Sequence, residues 1–295
     1  MHVFLTGGTG YIGSAVLRRL IGDGHNVTAL VRSEESAAKV TAAGAKAVTG
    51  DITNVSWLAN ELAGADGAIH TASPGDATSP DVDAAVARAA REAYAGTDKP
   101  YVHTGGIWAY GNGEDITETT PFASPPLVAW RESIEKEVLA IPGARPTVVV
   151  PGVVYGHGGG IANLISRAPR TETGAFTLIG NGTQHWVTVH VDDLADLYLR
   201  VLRNGRAGSY YIASDGTNPA VRALGEAASR AAGTPGAVSP EGPDEARARL
   251  GSPFADALLL SQQASGQTAR SELGWNPVRP SLIEELQNGT YAPTA

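Results

Sequence analysis

Within its first thirteen residues the chain places Thr6-Gly7-Gly8-Thr9-Gly10-Tyr11-Ile12-Gly13, a stretch suited to binding the phosphates of a dinucleotide. An apolar run from His2 to Leu5 enters it, and Ile12, Val16, Leu17, Leu20 and Ile21 follow at helical spacing. Strand, glycine turn and helix in that order form the context this fingerprint needs. Gly7 takes the backbone angles of a tight turn, Gly10 lets a pyrophosphate approach the main chain, and Gly13 lets the helix pack close to the sheet. Gly7, Thr9, Gly10, Tyr11 and Ile12 are therefore expected cofactor contacts, with the phosphates at the positive end of the helix. At the end of the second strand stand Arg32 and Ser33, where a reader of NAD would carry a carboxylate. A planar guanidinium beside a hydroxyl suits a 2′-phosphate, so NADP is the expected cofactor. The alternative is a solvated arginine, with Glu34 or Glu35 reaching the ribose.

Acid–base groups fall at the expected C-terminal ends of strands: His103, Tyr110, Tyr155 and His157. Tyr155 and His157 make the better pair, because the loop from Gly156 to Gly160 can carry them over a nicotinamide and histidine titrates near neutrality. Trp108, Trp130, Phe176 and Trp186 would suit an apolar or aromatic ligand if they face a cleft, or the core if they do not. His185, next to Trp186, is a further expected substrate contact. In His190-Val191-Asp192-Asp193, Asp192 is expected to cap a helix and His190 to satisfy buried backbone. No further ligands complete a closed site there, so no metal is expected.

These residues need a scaffold that gathers them on one edge. Strands are expected at Asn26–Val31, 45–49, 67–71, Pro100–Thr104 and 147–150, with helices at about 54–63, 80–96 and 127–140. Their alternation implies an α/β fold of Rossmann type, a doubly wound parallel sheet with right-handed crossovers. Val189 to Leu202, a strand end running into a helix capped by Asp192, and a strand over Ser209–Ala213 complete it. The dinucleotide-binding domain is thus residues 1–155, completed by about 189–214; residues 156–188 and 215–295 form a small discontinuous substrate region. Such folds bind ligands at the C-terminal edge of the sheet.

Composition narrows the partners. A formal charge of -8 leaves no footprint for nucleic acid or an anionic membrane, and the absence of cysteine removes thiolate and disulfide chemistry. No apolar run approaches a membrane span, and Met1 leads almost directly into the first strand, so no signal peptide is expected and the expected location is cytoplasmic.

Several motifs together resemble the extended branch of the short-chain dehydrogenase/reductase family. They are the glycine loop, Gly50-Asp51-Ile52, Tyr110-Gly111, Pro151-Gly152-Val153-Val154-Tyr155-Gly156, His190-Val191-Asp192-Asp193 and Ser271-Glu272-Leu273-Gly274-Trp275-Asn276-Pro277. His70-Thr71-Ala72-Ser73-Pro74 is similar to the reductases of flavonoid and cinnamoyl substrates and to hydroxysteroid dehydrogenases. The resemblance implies that Asp51, with Ile52 beside it, meets the adenine, and that Thr71, Ala72, Ser73 and Thr104 line the nicotinamide half. For Asp51 the alternative is to cap the next helix. Homodimerisation through the helices at about 80–96 and 127–140 is a further implication.

The same resemblance exposes a gap. The family's proton donor is a tyrosine with a lysine four residues on, and none of Lys39, Lys46, Lys99 and Lys136 has a tyrosine in that place. Aligning the helix by Glu137 puts Ala129 at the tyrosine position and Ser133 at the lysine position. Gly106 falls at the position of the assisting hydroxyl, with Thr104 two residues earlier as a substitute. Sugar-nucleotide enzymes of this branch carry an asparagine where Val153 stands and an arginine-led stretch where His185-Trp186 stands, so a sugar nucleotide is not expected. The expectation is an NADP(H)-dependent oxidoreductase reducing a carbonyl, imine or activated double bond of a small apolar or aromatic metabolite. Its proton donor is non-standard or absent, with Tyr155, His157 and Thr104 as candidates. Beside it stand a silent NADP(H)-sensing regulator and a non-redox lyase or isomerase on the same scaffold.

Overall fold

A computed structural model describes residues 1–293. The first half alternates strictly: β1 (His2–Thr6), α1 (Tyr11–Gly22), β2 (Asn26–Val31), α2 (Glu34–Ala42), β3 (Lys46–Thr49), α3 (Val55–Ala63), β4 (Gly67–His70), α4 (Ser79–Tyr94), β5 (Pro100–Thr104), α5 (Arg131–Leu139) and β6 (Arg145–Pro151). Then come β7 (Val153–Tyr155), α6 (Asn163–Ser166), β8 (Phe176–Thr177), β9 (Thr188–His190), α7 (Val191–Asn204) and β10 (Ser209–Ala213). The remainder is α8 (Val221–Ala231), β11 (Val238–Ser239), α9 (Pro243–Leu250), α10 (Ser252–Leu258), α11 (Gln267–Leu273) and α12 (Leu282–Asn288).

Seven strands form one parallel sheet in the order β10-β6-β5-β4-β1-β2-β3. The chain winds outward from β1 in one direction and from β4 in the other, so a crevice opens between their C-terminal ends. Helices α1 and α7 cover one face, and α3, α4 and α5 the other. Val148, Val149 and Val150 are buried because both faces of β6 are covered. A third apolar cluster, including Tyr155, Phe176, Trp186, Leu224 and Leu286, holds the C-terminal region together.

Two expected boundaries shift. Residues 126–130 form turns, and α5 begins only at Arg131. At the start of α7 the cap is His190, whose Nδ1 accepts from the Asp192 backbone N–H at 3.1 Å. Asp192 instead lies in the first turn, where its carboxylate meets the helix's positive end.

Candidate active site

The glycine loop connects β1 to α1 at the crevice. Gly7 has φ +75, and a side chain there would strike the Ala72 backbone at 2.6 Å. A Cβ at Gly13 would lie 2.0 Å from the Gly7 carbonyl oxygen, so only glycine lets α1 start this close to the loop. The α1 N-terminus carries no side-chain cap and no acidic residue in its first turn, leaving its N–H groups and dipole available to an anion.

At the end of β2, Arg32 is exposed, and Ser33 caps α2 by accepting from the Ser36 N–H at 3.2 Å. Glu35 pairs with Lys39 at 2.7 Å, directed along α2. Asp51 Oδ1 accepts from the Thr53 N–H at 2.8 Å and from its hydroxyl at 2.7 Å, which holds the carboxyl below its ordinary range. The cap of α3 is Asn54, accepting from the Trp57 N–H, so Asp51 is not spent on that helix. Ile52 is partly buried against the core.

A cavity of about 330 Å³ lies at the sheet's C-terminal edge, between Tyr11 and Ile12 on one side and Arg131 on the other. Thr71, Ser73 and Thr104 border it, with Trp108, Val128 and Ile161 supplying apolar wall. Ala72 packs against Gly7. Gly106 also lines the cavity, with open space where a side chain would stand.

Along α5, Glu137 is exposed, whereas Glu135 is 1% exposed and packs against Gly105. Arg131, one helical turn before Glu135, places a cation at the cleft.

Arg131 is held from three sides. Its Nη1 donates to the Thr104 carbonyl at 2.9 Å, its guanidinium lies 4.5 Å from the Trp130 ring centre, and Asp83 Oδ2 is 3.6 Å away. Asp83 is buried and also faces His70 at 3.1 Å and His103 at 3.5 Å. Burial alone would raise its carboxyl, but the two histidines outweigh burial and hold it well below the usual carboxylate range. Burial lowers His103. For Glu135, burial pushes the carboxyl up to about 7. The sequence points to Trp130-Arg131 as residues that shape the pocket, but not to the grouping of Arg131 with Asp83 and Glu135, which only the fold brings about.

Several candidate acids are committed elsewhere. The Thr104 hydroxyl donates to the His70 carbonyl at 2.6 Å and meets the Tyr198 hydroxyl at 2.7 Å. Tyr155 is fully buried and donates to the Pro280 carbonyl at 2.8 Å and to Asp215 at 3.1 Å; burial, with Asp215 beside it, pushes its phenol far up. A proton donor to the cleft is not what that environment makes. His157 pairs with Asp192 at 3.0 Å and faces a separate open depression beside Ser14 and Arg18, away from Arg131. His103 and Tyr110 are buried beneath the cleft, not on it.

The aromatic residues divide. Trp108 lines the cavity and Trp130 backs Arg131. Trp186 is buried and donates to the Leu258 carbonyl at 3.0 Å, and Phe176 packs in the same cluster, so both serve the core of the C-terminal region. His185 Nδ1 is 2.7 Å from the Asn218 carbonyl oxygen and does not border the cavity. His157, His190 and Asp192 bring ligand atoms within 4.8 Å of one another. His190 Nδ1 is already the α7 cap and Arg279 lies 3.4 Å from the Asp192 carboxylate, so the cluster is satisfied as an ion-paired helix start.

The sheet order and the loop at its switch point define an extended short-chain dehydrogenase/reductase fold. The chain belongs to the NAD dependent epimerase/dehydratase family, whose description matches residues 3–213. An uncharacterised protein of Schizosaccharomyces pombe is 32% identical over 301 residues, covering 99% of this chain and 100% of the relative. A ketoreductase of Stigmatella aurantiaca acting on a farnesylated 3-oxo-dihydroquinoline oxide is 29% identical, covering 76% of this chain and 71% of its own length. In structure, a dTDP-glucose 4,6-dehydratase of Streptomyces venezuelae with NAD bound superimposes with a TM-score of 0.77 at 21% identity, covering 99% and 96% of the two chains. Among the described residues no helix is long and apolar enough to cross a membrane.

Proposed function

We propose that the protein is an NADP(H)-dependent oxidoreductase that reduces a carbonyl, imine or activated double bond of a small apolar or aromatic metabolite. The observation that carries this reading is the cavity of about 330 Å³ running from the glycine loop to an apolar wall, with one cation, Arg131, at its side. The uncapped α1 N-terminus, with Gly7 and Gly13 admitting no side chain, fits the pyrophosphate; Thr71 and Ser73 stand where the nicotinamide half would lie. Arg32 supports the 2′-phosphate of NADP, since Glu35 is paired along α2 and the Arg32 guanidinium is exposed at the end of β2. The bound cofactor supplies hydride. The ketoreductase relative is consistent with such chemistry.

Arginine holds its proton in a protein, so Arg131 can hold an anionic group of the substrate but is not the proton donor. The Thr71, Thr104 and Tyr11 hydroxyls that border the cavity all donate to backbone carbonyls, which leaves the Ser73 hydroxyl and solvent as proton sources. The commitment of those three hydroxyls supports a second reading, a protein that binds NADP(H) without turnover. Following NADPH oxidation with a panel of aromatic ketones, imines and enones separates the two. Cofactor-dependent product from at least one class supports the enzyme; tight NADPH binding with no product from any class supports the sensor.

A further inference from the structure

Arg131 has more donors than the protein uses. Among the described residues its one side-chain hydrogen bond is Nη1 to the Thr104 carbonyl, and the 3.6 Å approach to Asp83 is too long for a second. Nε and Nη2 have no protein partner, and they are absent from the sealed buried polar atoms. These two nitrogens form the edge of a guanidinium that meets a carboxylate with two parallel N–H···O bonds. The side chain is 14% exposed and lines the cavity.

Rigidity makes this edge a built site. Trp130 stacks against the guanidinium face, and the Trp130 indole N–H donates to the Leu127 carbonyl at 3.1 Å, which fixes the ring. Asp83 lies below, itself fixed by His70, whose Nδ1 meets the Thr6 hydroxyl at 2.7 Å. The guanidinium is therefore pre-oriented, and a ligand spends little entropy ordering it. Ile107, Trp108, Val128 and Ile161 supply apolar wall, and Arg131 is the one charged side chain lining the cavity, so an anionic ligand has one cation to meet there.

We infer that Arg131 is a carboxylate-binding residue, and that the substrate is an apolar molecule carrying one carboxylate. This rests on the oxidoreductase reading only in calling the ligand a substrate; the anion site itself stands on the geometry of Arg131. Asp83 is a positioning residue, acting through Arg131.

Calorimetric titration of the NADP⁺-saturated protein with 3-phenylpropanoate, and with its uncharged isostere 3-phenylpropanamide, tests the inference without turnover. The carboxylate should bind about tenfold more tightly, the value of one added charge-assisted pair. Arg131→Leu should erase that preference while leaving amide binding within about twofold, and Arg131→Lys should retain part of it. Equal binding of the two ligands to the unaltered protein overturns the inference, and that comparison needs no variant to fold. A preference surviving Arg131→Leu also overturns it. So does a loss of NADPH affinity in Arg131→Leu with the carboxylate preference intact, because Arg131 then serves the cofactor. A carboxylate preference without hydride transfer to any acceptor would leave the site standing and remove the oxidoreductase reading. Turnover of neutral ketones with no carboxylate preference would do the reverse.

Discussion

Arg131 stands 3.6 Å from Asp83, joining the floor of the cavity to a buried group of polar side chains that includes His70 and His103. Asp83→Ala should leave His70 without its hydrogen-bond acceptor, and His103 and Arg131 without their charged neighbour. The expected loss is about 3 kcal/mol of unfolding free energy, measured by urea denaturation at pH 7. Because the Asp83 carboxyl is held below its ordinary value, its contribution is complete above the carboxylate range and is lost as pH falls through it. The difference between wild type and Asp83→Ala should therefore shrink in strong acid; a pH-independent difference would contradict the charge assignment.

Glu135 has the opposite sign. Its carboxyl is raised from 4.5 to about 7 by burial, so the folded protein holds a proton that the unfolded chain has released between those values. Stability from this group is complete below about pH 4.5 and falls as pH rises to about 7. Glu135→Gln, neutral at every pH, should be the more stable protein at pH 8 by roughly 2–3 kcal/mol and show little difference at pH 4. Thermal melts of both proteins across that range check it, and parallel curves would refute the buried-acid assignment.

Arg32→Ala separates the two cofactors. Losing a charge-assisted contact to a 2′-phosphate should weaken NADPH about tenfold or more and leave NADH within about twofold. Fluorescence titration with each dinucleotide reads the difference. Equal losses would remove the phosphate role and return Arg32 to a solvated position at the end of β2.

Tyr155 is a structural tyrosine on this account. Tyr155→Phe removes hydrogen bonds to Pro280 and Asp215 and should cost about 1–2 kcal/mol of stability, with NADPH binding unchanged. A variant as stable as wild type but without turnover would restore Tyr155 as a proton donor.

Much of the fold was legible because β1, β4 and β6 are buried on both faces and the glycine loop has a rigid geometric requirement at Gly7 and Gly13. The site was legible only in part. Glu135 and Glu137 differ only in which way they face, and local sequence does not encode that when the preceding 126–130 forms turns. Tyr155 and Trp186 went astray for a related reason. Both follow strand-like segments near the cleft, yet their polar atoms find partners, at Pro280 and Leu258, more than seventy residues away in the chain. Asp83 escaped notice because a lone aspartate in the amphipathic α4 resembles a solvated residue until His70 and His103 are brought beside it.

The proposed hydride transfer at the cavity beside Arg131 can be followed with NADPH deuterated at nicotinamide C4. Incubated with aromatic ketones, imines and enones, the protein should move the label to the former carbonyl, imine or alkene carbon of at least one acceptor class, with one oxidised cofactor per labelled product. Unlabelled product, or no product from any class while NADPH remains tightly bound, would contradict it.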